Sequence, residues 1–136
     1  MKKIFVDTNV LLDVILNREA FRDAASVVWA DCETGKARGM IAAVSLNNIH
    51  YIVAKRLGKE KALQAVRIML GIFTVVPLDE KVLRLAVDLP HKDFEDALQL
   101  YSAVLGKADV LVTRDMGHFA TDLLPVVSPA GYAGRG

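Results

Sequence analysis

Short runs of β-branched and other apolar residues alternate along the chain with longer segments in which apolar positions recur every three or four residues. Ile4-Phe5-Val6 has the form of a buried strand ended by Asp7, and Val10, Leu11, Val14 and Ile15 then fall at helical spacing. A second helical pattern, Phe21, Ala24, Ala25, Val28 and Cys32, is stopped by Gly35. Met40 to Val44 reads as the next strand, with Ser45 as N-cap of a helix that carries Ile49, Ile52 and Val53 and ends near Gly58. Another helix carries Ala62, Leu63, Val66, Met69 and Leu70, and Thr74-Val75-Val76 is a strand. Asp79 caps a short helix through Val82, Leu83 and Ala86, and Asp93 caps a longer one with Ala97, Leu98, Tyr101 and Leu105 on one face. Val110-Leu111-Val112 is a strand ending at Thr113, and Pro125-Val126-Val127 is a last, edge strand, where proline is tolerated.

Apolar, non-alternating strands joined by helices predict an α/β fold, a three-layer α/β/α sandwich on a mostly parallel sheet of about five strands. The 136 residues make one domain, taken as residues 1–130, and bury roughly two-thirds of the unfolded surface without staples. Residues 131–136 are expected to be a flexible tail, and the whole stretch from Ser128, with Pro129 and three glycines, to pack poorly.

Composition narrows the function classes. A single cysteine, Cys32, excludes an internal disulfide, and no Cys/His spacing suggests structural zinc. Seventeen basic against sixteen acidic residues leave a net charge of +1, so any nucleic acid is bound locally rather than by a polybasic surface. An aromatic share of 7% argues against a surface built mainly to stack bases. Asp7 and Asn9 interrupt the apolar start before a signal core can form, and the uncharged stretch from Met69 to Leu78 is too short to span a bilayer. Cytoplasmic localisation is the expectation.

In a parallel sheet, ligands bind at the carboxyl ends of the strands. The residues there are polar: Asp7-Thr8-Asn9, then Ser45 with Asn47-Asn48, then Thr113-Arg114-Asp115, with Asp93, Glu95 and Asp96 at the start of a later helix. No phosphate-binding glycine loop follows the first strand, and no nucleophile elbow is present. Several carboxylates converging at one sheet end repel one another, and a hard divalent cation such as Mg²⁺ or Mn²⁺ relieves that repulsion. Such an ion activates water against a phosphoryl centre, so metal-assisted phosphodiester hydrolysis is the natural reaction class.

V-D-T-N-V at 6–10, S-L-N-N-I at 45–49, D-F-E-D-A-L-Q at 93–99 and V-T-R-D-M-G-H-F at 112–119 resemble the PIN-domain family, in order and over roughly Lys3 to Pro129. The resemblance implies a small α/β/α domain with a metal-dependent ribonuclease site, and many bacterial members are VapC-type toxins paired with a small antitoxin. It assigns Asp7, Asp96 and Asp115 as catalytic metal ligands, with Thr8, Asn9 and Thr113 as their polar supports. Where most such nucleases carry Glu on the helix after the second strand, this chain has Asn48, which offers a carbonyl oxygen without charge. Asp93 and Asp96, three apart, share a helix face, so Asp93 is the better substitute ligand. Glu95 points about 100° away and reads as solvent-facing or arginine-pairing. Asp13, four after Asn9, lies on the same helix face and lines the outer site without metal contact in this reading.

Plainer readings stand beside these. Asp7 is as readily an N-cap as a ligand, Asp93 fits a capping pair with Asp96, and Ser45 with Asn48 fits a cap and its N3 residue. Thr113 reads as a strand-end hydroxyl that holds a carboxylate or backbone, and Asp115 as turn or ligand. Arg114 binds phosphate or pairs with a carboxylate. His118 faces phosphate or metal or is a surface imidazole, and His50 and His91 read as structural or exposed. The basic run Lys55 to Lys61 is a solvated helix junction or the phosphate-tracking rim of an RNA groove. Trp29 and Cys32 read as packing residues. The function read from this is a metal-dependent endoribonuclease acting on RNA, with a small antitoxin and a homodimeric second copy as family-implied partners. The alternative is a catalytically weak fold relative that binds RNA or protein. A phosphatase reading is disfavoured because Asn9, not Asp, stands two residues after Asp7.

Overall fold

The computed structural model describes residues 1–89, 93–119 and 121–134. His91 lies outside the described residues. Five strands form one sheet in the order β3-β2-β1-β4-β5, and every neighbouring pair is parallel. They are β1 (Lys3–Val6), β2 (Arg38–Ala42), β3 (Thr74–Val76), β4 (Val110–Val112) and β5 (Val126–Val127). The helices are α1 (Thr8–Ile15), α2 (Arg22–Glu33), α3 (Ala43–Leu57), α4 (Lys59–Ile72), α5 (Glu80–Val87), α6 (Phe94–Leu105) and α7 (Pro129–Gly134).

Successive strand residues point to opposite faces and so divide the core in two. Ile4, Val6, Ile41, Val110 and Val112 pack against α1 to α4 on one face. Phe5, Met40, Ala42 and Leu111 pack with Leu100 and Ala103 of α6 on the other, and α5 closes over α6 through Val82, Ala86, Ala97 and Leu98. This is the three-layer arrangement that the continuous apolar strands predict. At Gly39 of β2 an added Cβ would lie 2.6 Å from both Cys32 Sγ and the Phe73 ring, so a hydrogen there lets α2 and Phe73 close on the sheet. Trp29 meets Phe73 edge-on at 5.3 Å, which makes Trp29 and Cys32 the packing residues expected of them. Gly58, with φ of +96°, turns the chain between α3 and α4 in the left-handed region that favours glycine.

Two expectations need correction. The second strand ends at Ala42 and α3 begins at Ala43, so Val44 is helical and Ser45 is not an N-cap. An apolar run cannot by itself separate a strand end from a buried first helical turn. The segment after Ser128 does pack: Pro129–Gly134 is helical, and the Tyr132 hydroxyl donates to Asp31 Oδ2 at 2.7 Å, tying α7 to α2. Among the described residues no helix is long and apolar enough to cross a membrane.

Candidate functional site

Strands β1 and β4 lie side by side, and their carboxyl ends deliver Asp7 and Thr113 together. The Asp7 backbone N–H donates to Val112 O at 3.0 Å, and the Thr113 hydroxyl donates to Asp7 Oδ2 at 2.9 Å. Asp7 stands at the N-cap position of α1, yet its side chain caps nothing. Its carboxylate is buried at 3% exposure and instead takes hydrogen bonds from Thr113 and Gln99. Burial raises its pKa, those two hydrogen bonds oppose the rise, and nearby Asp115 adds to it.

Helix α6 brings the second carboxylate. Asp93 Oδ1 accepts from the backbone of Glu95 at 2.9 Å and of Asp96 at 3.3 Å, so Asp93 is the helix cap. Asp96, in the first turn, has its carboxyl pushed up to about 6 by burial first, then by the like charges of Asp93 and Asp7, with His118 opposing. The His118 imidazole lies 3.7 Å from Asp96 Oδ2. Asn48 reaches the same place from α3. Together these residues border an open cleft of about 500 Å³, whose walls also include Thr8, Asn9, Tyr51 and Gln99.

The other expected site residues lie behind or beside this cleft. Ser45 is fully buried and shares a 2.7 Å hydrogen bond with Thr8 Oγ1, bracing the start of α1 from α3. Asp115 accepts from Asn9 Nδ2 at 3.4 Å, and its N–H donates to the Thr113 hydroxyl at 3.0 Å, so it sits at the margin. Arg114 pairs with a carboxylate: its Nε lies 2.9 Å from Asp13 Oδ2, and its guanidinium covers the Phe21 ring at 4.1 Å. Asp13 accordingly does not line the outer site; it is fully buried between Arg114 and Arg18. Glu95 borders the cleft and pairs with no arginine among the described residues, because at the first turn of a helix adjacent positions both rim the opening.

Gln99 escaped the sequence reading. It is buried, and its Oε1 accepts from Thr8 N at 3.1 Å while its amide supports Asp7. Its spacing, three residues after Asp96, places it on the same face of α6 and was the available signal.

The architecture is shared with known structures. VapBC2 of Rickettsia felis, solved bound to a DNA fragment from its promoter, aligns with a TM-score of 0.71 at 17% identity, over 93% of this chain and 98% of that one. Mycobacterium tuberculosis VapC20, a sarcin–ricin loop cleaving toxin, aligns at 0.65 and 19%, over 79% and 86%. A toxin–antitoxin complex from Klebsiella pneumoniae aligns at 0.69 and 21%, over 93% and 97%. No curated protein matches the chain in sequence. The PIN domain family model matches residues 3–117, and the chain belongs to that family.

Proposed function

We propose that the protein is a metal-dependent endoribonuclease and that it serves as the toxin of a toxin–antitoxin pair. One observation carries this reading: Asp7 and Asp96, brought together from strand β1 and helix α6, share one cleft, and neither carboxylate is used as a helix cap. The fold shared with VapC20, a sarcin–ricin loop cleaving toxin, supports it.

The donor set is all oxygen, with the Asp7 and Asp96 carboxylates, the Asn48 amide, the second oxygen of Asp93 and, at the margin, Asp115. Among the described residues no three His, Cys, Asp or Glu side chains stand close enough to hold one ion. The set therefore suits Mg²⁺ or Mn²⁺ carried by one or two carboxylates and retained water, not a closed cage. Such a cation supplies Lewis-acid polarisation of the scissile phosphate. The chain's own residues do the rest: Thr113 and Gln99 orient Asp7, the Asp93 cap orients the first turn that carries Asp96, and His118 stands beside Asp96 to meet a phosphate.

Labelled RNAs and single-stranded DNAs incubated with Mg²⁺ or Mn²⁺ test this, using wild type, Asp96→Asn and an EDTA blank. RNA cut by wild type alone and protected by EDTA is the expected result; equal cutting by both proteins would count against the site. Asn48, uncharged where most PIN nucleases are acidic, favours a second reading, an RNA- or protein-binding module of weak activity. Binding of RNA without cutting is its signature. For the toxin role, expression should arrest growth, and co-expression of a small protein from the adjacent reading frame should relieve it. A homodimer is the assembly that the family resemblance implies, and sedimentation tests it.

A further inference from the structure

The catalytic cleft does not end at Asn48. A second open cleft of about 510 Å³ adjoins it, and Asn48 and Tyr51 border both. The two differ in charge. The first carries Asp7, Asp93, Glu95 and Asp96; the second carries His50, Lys55 and Lys59 and no acidic residue. Positions 48, 51 and 55 fall on one face of α3, and Lys59 continues the line across the Gly58 turn into α4. From Asn48 to Lys55 the stripe runs roughly 10 Å along the helix axis. Tyr51 is 60% exposed, and the Lys55 ammonium rests 4.8 Å from its ring centre.

An acidic cleft repels a polyanion, so a substrate phosphate seated there needs cationic partners for its neighbours. The order along this stripe, amide, aromatic ring, ammonium, ammonium, matches what a single strand presents: a reacting phosphate, a base and further phosphates. We propose that the face from Asn48 through Tyr51 and Lys55 to Lys59 seats single-stranded RNA, with one unpaired base stacked on Tyr51 and the adjoining phosphates on the two lysines. Lys55 then leaves the ring for a phosphate as the base takes its place. Stacking requires a base free of its pair, so the stripe selects single strands over duplex. This inference rests on the ribonuclease reading and names how that site holds its substrate.

The test is a fluorescence-anisotropy titration of a short fluorescein-labelled single-stranded RNA in Mg²⁺, with every variant built on Asp96→Asn so that nothing is cut. Tyr51→Ala is expected to weaken binding on the order of tenfold, as loss of one stacked base does, and Tyr51→Phe to retain it. Lys55→Ala with Lys59→Ala should lower the slope of log affinity against log salt by about 1.4, roughly 0.7 for each phosphate that is no longer neutralised. Duplex RNA of the same sequence should show no dependence on Tyr51. These positions are exposed, and unchanged thermal melting confirms that the variants fold. Binding that is indifferent to Tyr51→Ala, an unchanged salt slope, or no RNA binding by the parent would each overturn the proposal, even if wild type cuts RNA. Tyr51-dependent binding without any cutting by wild type would uphold it and overturn the nuclease reading instead.

Discussion

The Asp13 carboxylate and the Arg114 guanidinium meet at 2.9 Å across 101 residues of chain, and the carboxylate has no solvent exposure. Arg18 joins it at 3.2 Å. Because Arg114 lies between Thr113 and Asp115, this ion pair anchors the loop that both orients Asp7 and presents Asp115 at the cleft margin. Asp13→Ala leaves two arginines without their anion and is expected to cost about 3 kcal/mol in urea unfolding. A loss under about 1 kcal/mol would show that the pair contributes no more than an exposed one.

Thr113→Val keeps the volume at the end of β4 but removes the hydroxyl that donates to Asp7. A buried carboxylate short of one donor costs about 1–3 kcal/mol, and its pKa should rise further. Urea unfolding reads the first effect. The second appears as a Mn²⁺ affinity that weakens more steeply below neutral pH than in wild type; identical profiles would exclude Thr113 as a support of Asp7.

Asp96 ties stability to pH with a definite sign. Its folded carboxyl titrates near 6, against an ordinary value of 3.8. Above about 6 it is ionised in both states, and the folded state bears the full cost of crowding charges. Between 3.8 and 6 the folded protein holds a proton that the unfolded chain has released, so its contribution improves as pH falls, and below 3.8 the cost is gone. Metal-free Asp96→Asn should therefore be more stable than wild type at about pH 7.5, on the order of 1 kcal/mol after allowing for solvent screening, and no different near pH 3.5. Urea titrations at the two pH values decide it; an equal difference at both would refute the electrostatic account.

Asn48→Glu adds a carboxylate to the cleft wall contributed by α3. Mn²⁺ binding, measured calorimetrically, should tighten on the order of tenfold because affinity for hard cations follows ligand charge. The same variant without metal should be less stable, since it crowds Asp7 and Asp96 further. Unchanged or weaker binding would place Asn48 outside the ion's reach.

Much of this was legible in the residues. Strands such as Ile4-Phe5-Val6 and Val110-Leu111-Val112 announce themselves because burial on both faces demands unbroken apolar runs. Asp79 and Asp93 as caps follow from local chemistry that ends within one helical turn. The misreadings have other causes. Ser45 reads as a cap because an apolar run hides where β2 ends and α3 begins. Asp13 has its partner, Arg114, 101 positions away, and local pattern carries no record of it. Gln99 looked like one more helical residue for the same reason, its partner Thr8 being 91 positions earlier.

The place of β1 at the centre of the sheet, between β2 and β4, has a consequence for synthesis. Asp7 is synthesised 106 positions before the hydroxyl that orients it, which arrives with the strand that docks beside β1. Contacts of such separation form late, after the loop between them has closed. A ribosome-bound or truncated fragment that stops short of β4 thus carries the first carboxylate without the hydroxyl that orients it, and the cleft is assembled only once that strand has docked.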